Sequence, residues 1–386
     1  MKADIPFNPK VLKWARKSAG LHTVEVAKKM KKPERTIVAW EQGEASPTYV
    51  QLETLAYKVY KRPLAIFFFP EPPEEETPAQ SLRTLPEHEI ETMSYHMRYL
   101  LKKARAMQIN LAELNFGINP AEKNIVRDLH FDPDDSVSTM VGKVRDYLKI
   151  DLDTQFGWSN ADEALKAWRH SLETKGLFIF KEAFKDDNFS GFCYHDTEFP
   201  LIYINNSQSK TRQIFSVFHE LAHLLLGTGG VDARRDTFIK GLAGKDRKIE
   251  VLCNRFAGAF LAPDSDFDDQ IVSDTVSDTL IFSLAERYKV SREVILRKFL
   301  DRRMIDSAYY SNAVESWGVG EQFRSSGSGG DYYATKGVYL GGRYLELVFG
   351  CYYRKRIDRN QLAGYLDVKV KHIPGMEALL CKKGFV

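Results

Sequence analysis

Residues 215–227 read FSVFHELAHLLLG and carry one H-E-x-x-H motif, from His219 to His223. The run is apolar, has no Pro and no internal Gly, and meets Gly227 at its end, so it predicts a buried helix. One helical turn separates the two histidines, which places both imidazoles on one face where they can bind a single Zn²⁺. Glu220 lies about 100° further around the helix and is the natural general base.

Chance is the competing explanation for this motif. A random chain of this length contains H-E-x-x-H about once in a hundred, so two histidines could simply pack in a helix. Burying them with Glu220 on an otherwise apolar helix would be costly without polar partners. A bound metal would supply such a partner, which favours the functional interpretation.

A catalytic zinc site needs a third protein ligand. Residues 247–263 read RKIEVLCNRFAGAFLAP and predict a second helix that ends before Pro263. Glu250 can complete the ligand set, and Asn254, one turn on, can accept the outer N–H of a ligating histidine and so fix its tautomer. Cys253 is the competing soft ligand, although Glu with two His is the usual hydrolytic set.

Taken together, these motifs resemble the ImmA/IrrE family of bacterial metallopeptidases. The family pattern is HExxH, a gap, then E-x-x-A-N/D-x-F-A and a terminal L-x-P, which residues 250–257 and 261–263 follow with Cys253 in place of the small residue. The likeness extends back through residues 200–205 and the lead-in at 212–215.

This resemblance implies a zincin-type fold with His219, His223 and Glu250 as zinc ligands and Glu220 as the base. It also implies a substrate class: a repressor protein that is cut to switch on stress, phage or mobile-element genes. Residues 176–207 alternate in a way that predicts three strands in a small antiparallel sheet, as such a fold requires.

The N-terminal region is basic, with 13 Lys and Arg against 6 Asp and Glu in residues 1–70. Within it, residues 23–43 resemble the helix-turn-helix of Xre/Cro-type DNA-binding domains, a motif that places one helix in the major groove. The resemblance implies DNA contacts for five side chains: Thr23, Lys28, Glu34, Arg35 and Val38. A helical bundle that serves protein contacts instead is the alternative.

The whole chain predicts an α+β protein, all-helical at its start and mainly helical at its end. The predicted regions are a helix-turn-helix domain at 1–70, an acidic Pro-rich linker at 71–86, a helical region packing on the peptidase at 87–175, a zincin-like core at 176–263, and a C-terminal region at 264–386 with a helix-turn-helix-like segment at 280–300. We also expect a lid within 227–248 and a flexible joint at 325–330.

Composition limits the protein class. Of 386 residues 44% are hydrophobic, with no apolar run near 18 residues, which predicts no membrane span. The start of the chain lacks the apolar stretch of a secretory signal, and the four Cys form no dense framework. We therefore expect a cytoplasmic protein.

Two functions fit the sequence. The first is a transcriptional regulator that binds operator DNA through its N-terminal domain and hydrolyses a specific partner with a zinc-dependent endopeptidase. The alternative is a non-catalytic DNA-binding antitoxin or autorepressor that neutralises a toxin encoded beside it. The sequence leaves open whether the protein is a homodimer.

Overall fold

The computed structural model describes residues 6–73, 93–186, 188–228, 230–233, 242, 244–271, 275–321 and 331–382. The predicted flexible joint at 325–330 lies outside the described residues, as do 74–86 of the predicted linker and residues 229, 234–241 and 243 of the predicted lid. Contacts divide the chain into two compact units, Met1–Ser81 with Leu85–Lys103 and Leu82–Thr84 with Ala104–Val386. The boundaries of the predicted regions stay predictions.

The first unit is helical. Its elements are α1 (Pro9–Ser18), α2 (Thr23–Met30), α3 (Glu34–Gln42), α4 (Tyr49–Glu53), a π-helical segment Thr54–Tyr60 and a 3-10 turn Leu64–Phe68. Buried side chains from α1, α2, α3 and the π-helical segment form one core: Val11, Leu12, Val26, Ile37, Trp40 and Leu55. The side chains of Arg16 and Glu41 join α1 to α3 through two hydrogen bonds of 2.6 and 2.8 Å.

The second unit holds most of the chain. Its helices before the sheet are α5 (Tyr95–Leu114), whose residues up to Lys103 belong to the first unit, α6 (Ile125–Asp128), α7 (Val137–Leu148), α8 (Leu152–Gly157) and α9 (Ala161–Glu173). The later helices are α10 (Lys210–Leu225), α11 (Gly244–Leu261), α12 (Asp264–Asp269), α13 (Asp278–Tyr288), α14 (Arg292–Asp301), α15 (Ser307–Glu321), α16 (Tyr332–Leu340), α17 (Gly342–Tyr353), α18 (Arg359–Tyr365) and α19 (Ile373–Lys382). A 3-10 turn, Val370–His372, precedes α19.

The sheet has four strands in the order β1-β3-β2-β4: β1 (Phe178–Glu182), β2 (Phe189–Tyr194), β3 (Leu201–Asn205) and β4 (Gly230–Ala233). β3 pairs antiparallel with β2 but parallel with β1, so the prediction of an antiparallel sheet was wrong in this pairing and the sheet is mixed. Every residue of β3 is buried, which suits a strand that is paired on both sides and inserted between its two predecessors. The positions of the three predicted strands were right. The interpretation of 227–248 as a loop was wrong where β4 and the first turn of α11 lie.

An aromatic cluster joins the helices around α10. The ring of Trp168 on α9 lies 5.0 Å from that of Phe218 on α10 and 5.3 Å from that of Phe260 on α11, in edge-on contacts. The rings of Phe218 and Phe260 stack at 4.2 Å. Such pairs contribute about 0.5–1.5 kcal/mol each beyond burial. Because Phe218 precedes His219, this cluster fixes the rotation of α10 and hence the direction of its histidines.

Side chains from α7 and α8 cap the end of α11. Arg145 donates to the carbonyl of Phe260 at 2.6 Å, and Gln155 donates to that of Leu261 at 2.8 Å. The last carbonyls of a helix have no partner within it, so these two bonds replace lost hydration. They hold the end of α11 against α7 and α8.

Within the part of the chain that the structure describes, every helix is too short or too polar to cross a lipid bilayer.

Candidate metal centre

Two packed helices bring the predicted ligands together. The distance from His219 Nε2 to Glu250 Oε2 is 3.4 Å, and from His223 Nε2 to Glu250 Oε1 it is 3.3 Å. The two Nε2 atoms lie 3.1 Å apart. All three side chains are buried, with exposed fractions of 0–2%. Among the described residues, they form the one group of His, Cys, Asp and Glu whose ligand atoms are close enough to share a metal ion.

The outer nitrogens of both imidazoles face oxygen atoms. His219 Nδ1 lies 3.0 Å from Asn254 Oδ1, which accepts its proton. His223 Nδ1 lies 3.2 Å from Thr228 Oγ1, whose own hydrogen is donated to the carbonyl of His223 at 3.0 Å. Each neutral ring therefore carries its proton on Nδ1 and presents the lone pair of Nε2 to the centre of the cluster.

The electrostatics of the cluster call for a cation. Burial alone would raise the pKa of the Glu250 carboxyl, but the imidazoles of His223 and His219 beside it lower the pKa to about 2, so Glu250 is ionised at neutral pH. Two lone pairs 3.1 Å apart and a buried carboxylate repel one another without a positive charge between them. Two imidazole nitrogens with one carboxylate are the donor set of catalytic zinc sites, so these residues fit Zn²⁺.

Cys253, the competing ligand, is also buried on α11 but is not part of this group. It lies three residues beyond Glu250, about 60° away around the helix. The prediction that Glu250 is the third donor agrees with this geometry.

The side chain of Glu220 lies against the sheet. Its side chain is fully buried on α10, and its Cγ is 3.4 Å from the position that a Cβ at Gly191 of β2 would occupy. The same Cβ would lie 3.2 Å from Ile204 Cδ1 and from the Tyr203 carbonyl. Glycine at 191 therefore avoids tight contacts with β3, and the Glu220 side chain lies at van der Waals distance beneath the strand.

Sequence reasoning missed two of these residues. A Gly inside a strand signals close approach of another group, and Gly191 is such a case. Thr228 follows the helix end, where Gly227 adopts φ of 67° and the Thr228 N–H bonds to the His223 carbonyl at 2.9 Å. No spacing rule predicts that this threonine turns back onto a histidine ring.

The sequence around this cluster matches a known protein family. Residues 172–300 match the IrrE N-terminal-like domain, Peptidase_M78. This family of zinc peptidases supports the resemblance to ImmA/IrrE proteins, and the matched range includes both histidines, Glu220 and Glu250. A search of curated proteins found no match.

The predicted DNA contacts lie in the first unit, outside the matched range. Lys28, Glu34 and Arg35 are exposed, while Thr23 and Val38 are partly buried. The hydroxyl of Thr23 at the start of α2 donates to the carboxylate of Glu34 at the start of α3. The structure thus places three of the five residues, Thr23, Glu34 and Arg35, in the first turn of a helix. DNA binding itself stays a prediction.

Proposed function

We propose that the protein is a zinc-dependent endopeptidase. The observation that carries this proposal is the buried cluster in which two imidazole lone pairs and the Glu250 carboxylate converge. The match of residues 172–300 to a zinc peptidase family supports it.

The chain's own residues would divide the chemistry as follows. Zinc held by His219, His223 and Glu250 would act as a Lewis acid on the scissile carbonyl and lower the pKa of a water molecule. Glu220, one residue from a ligand but outside the ligand group, would take a proton from that water and return it to the leaving amine. Asn254 and Thr228 would hold the two rings in the required tautomer and orientation.

The substrate that we propose is a specific partner protein, such as a repressor, whose hydrolysis would switch on stress, phage or mobile-element genes. Operator binding by the N-terminal helices would make the protein a transcriptional regulator. The excess of Lys and Arg in residues 1–70 supports this part, because phosphate contacts dominate affinity for DNA.

The decisive experiment is Glu220→Gln in the full chain. The change is close to isosteric, and Glu220 is not in the ligand group, so zinc content should stay at the wild-type level. The rate of peptide-bond hydrolysis should fall roughly 10² to 10⁴-fold, because the general base is lost. Tagged wild type and variant would be recovered from the native host and their partners compared by mass spectrometry. The variant should retain an intact partner that the wild type releases as fragments.

The same comparison tests the rival function. An antitoxin or autorepressor that only grips a toxin would hold its partner uncut in both proteins. If Glu220→Gln and wild type retain the same intact partner and regulate the same genes, catalysis is not the function.

A further inference from the structure

A groove runs along an exposed face of α11, the helix that carries Glu250. It is a cavity of about 660 Å³ between that helix and the first turn of α7. Its lining combines basic, hydroxyl and aliphatic side chains: Pro133, Asp135, Ser136, Val137, Ser138, Gly244, Arg247, Lys248, Val251, Leu252, Arg255 and Asp264.

Two arginines give the groove a positive charge that the protein leaves uncompensated. Arg247 and Arg255 are exposed, and within the described parts of the chain neither forms a hydrogen bond or an ion pair. They are eight residues apart, so they project from the same side of α11 about two turns from each other. Val251 lies between them, on the same side and 40% exposed.

The remaining charges of the lining already have partners. Lys248 pairs with Asp134. Asp264 accepts from Lys298 at 2.7 Å and from Arg302 at 2.8 Å, so two cations outside the lining offset its charge. Asp135 is the one opposing carboxylate, and its Oδ2 accepts the backbone N–H of Asp132 at 2.9 Å.

The first turn of α7 adds to the positive potential. Ser136, Val137 and Ser138 line the groove at the start of this helix, where the partial charge of the helix dipole is positive. An anionic group between this turn and the two arginines would therefore be favoured from both walls. Val137, Val251 and Leu252 also give the groove an aliphatic surface.

The groove shares the α11 helix with Glu250 and Asn254. Around α11, Arg247 and Val251 lie about 60° and 100° from Glu250, on the same side as Asn254. Asn254 contacts His219, and the groove residue Arg255 follows Asn254 directly in the chain. A polypeptide cut at the cluster would need only a few extended residues to reach it.

We infer that this groove is a substrate-binding site for an acidic segment of the protein that the enzyme cuts. The inference rests on the proposed peptidase function. Carboxylates of the segment pair with Arg247 and Arg255, and its aliphatic side chains pack on Val251.

The test is a binding measurement that needs neither zinc nor catalysis. The probe is a fluorescein-labelled hexaglutamate peptide, with a hexaglutamine peptide and a dT₆ oligonucleotide as comparison probes. Fluorescence anisotropy measures the binding of each probe to the full-length wild type and to the double variant that carries both Arg247→Gln and Arg255→Gln. Lys245→Gln is the matched control, because Lys245 is exposed on the same helix but does not line the groove.

We expect the double variant to bind hexaglutamate at least about fivefold more weakly, since two exposed ion pairs are lost. Lys245→Gln should bind as wild type does, and zinc content should be equal in all three proteins. The inference is overturned if the double variant binds hexaglutamate like wild type, or if dT₆ shows an equal or larger loss, which would mark a nucleic-acid site. Failure of the proposed peptidase function is read separately, from uncut partner in the wild type.

Discussion

His219 Nδ1 and Asn254 Oδ1 lie 3.0 Å apart, so a neutral amide, not a carboxylate, orients the imidazole that we propose as the first zinc ligand. Replacing Asn254 with Ala removes the acceptor and leaves the ring free to turn. We expect Asn254→Ala to weaken zinc binding roughly 10- to 100-fold. Competition against a fluorescent chelator measures this.

Asn254→Asp is the matched control for that experiment. A charged acceptor at the same distance should preserve the tautomer and raise the basicity of Nε2, so its zinc affinity should equal or exceed that of wild type. Equal affinities for Asn254→Ala and wild type would show that the amide does not orient His219.

The second prediction concerns the ligands themselves. His223→Ala or Glu250→Ala leaves two protein donors, too few for a catalytic zinc site, so purified protein should fall from about one zinc per chain to a small fraction of that. Elemental analysis after zinc supply and gel filtration measures the content. Glu220→Gln, prepared in parallel, should keep its zinc; zinc at wild-type level in both ligand variants would place the metal elsewhere.

The grouping of the candidate ligands could be predicted because it depends on local geometry. His219 and His223 share a face in any helix, and Glu250 and Asn254 share one in the next. Which histidine Asn254 serves depends on how α10 and α11 pack, and only the structure shows that it is His219. The spacing of residues along each helix carries no information about that packing.

The strand pairing and the groove could not be predicted from the sequence for the same reason. Alternation located β1, β2 and β3 but not their order, because β3 inserts between two strands that precede it in the chain. Arg247 and Arg255 look like ordinary solvated charges in the sequence. Their role emerges only when α7, about a hundred residues earlier, supplies the opposite wall.

A third prediction concerns DNA. If α3 enters the major groove, Arg35→Ala should reduce discrimination among operator sequences. Lys28→Ala should instead weaken binding to all sequences alike, and should reduce the slope of log affinity against log salt concentration by about one. Gel shifts over a series of salt concentrations, with fragments from upstream of the gene, measure both. Binding that is absent at every salt concentration would favour a helical bundle for protein contacts.

The fourth prediction concerns a buried lysine in the second unit. Lys181 on β1 is 5% exposed, and its pKa is lowered to about 6, first by burial and then by the positive charges of Arg169 and Lys210. The carboxylates of Asp162 and Glu173 act in the opposite direction but do not cancel the effect. At neutral pH the folded protein therefore holds this amine mostly uncharged.

The sign of the pH dependence follows from proton counting. Between about pH 6 and pH 10 the unfolded chain binds a proton at Lys181 that the folded chain does not, so this residue makes stability rise with pH across that window. Lys181→Met removes the proton and the buried amine together. We expect the variant to be more stable than wild type at pH 7, and its advantage to shrink by about 1 kcal/mol per pH unit towards pH 9.5.

Urea unfolding of both proteins at several pH values between 6.5 and 9.5 measures that advantage. Taking the difference between wild type and variant isolates Lys181, because distant groups titrate alike in both proteins and cancel. The exposed Lys245 changed to Met in the same way is the control and should give a difference that does not vary with pH. A Lys181→Met difference that is equally flat would mean that the folded protein keeps this lysine charged, paired with Asp162 or Glu173 inside the core.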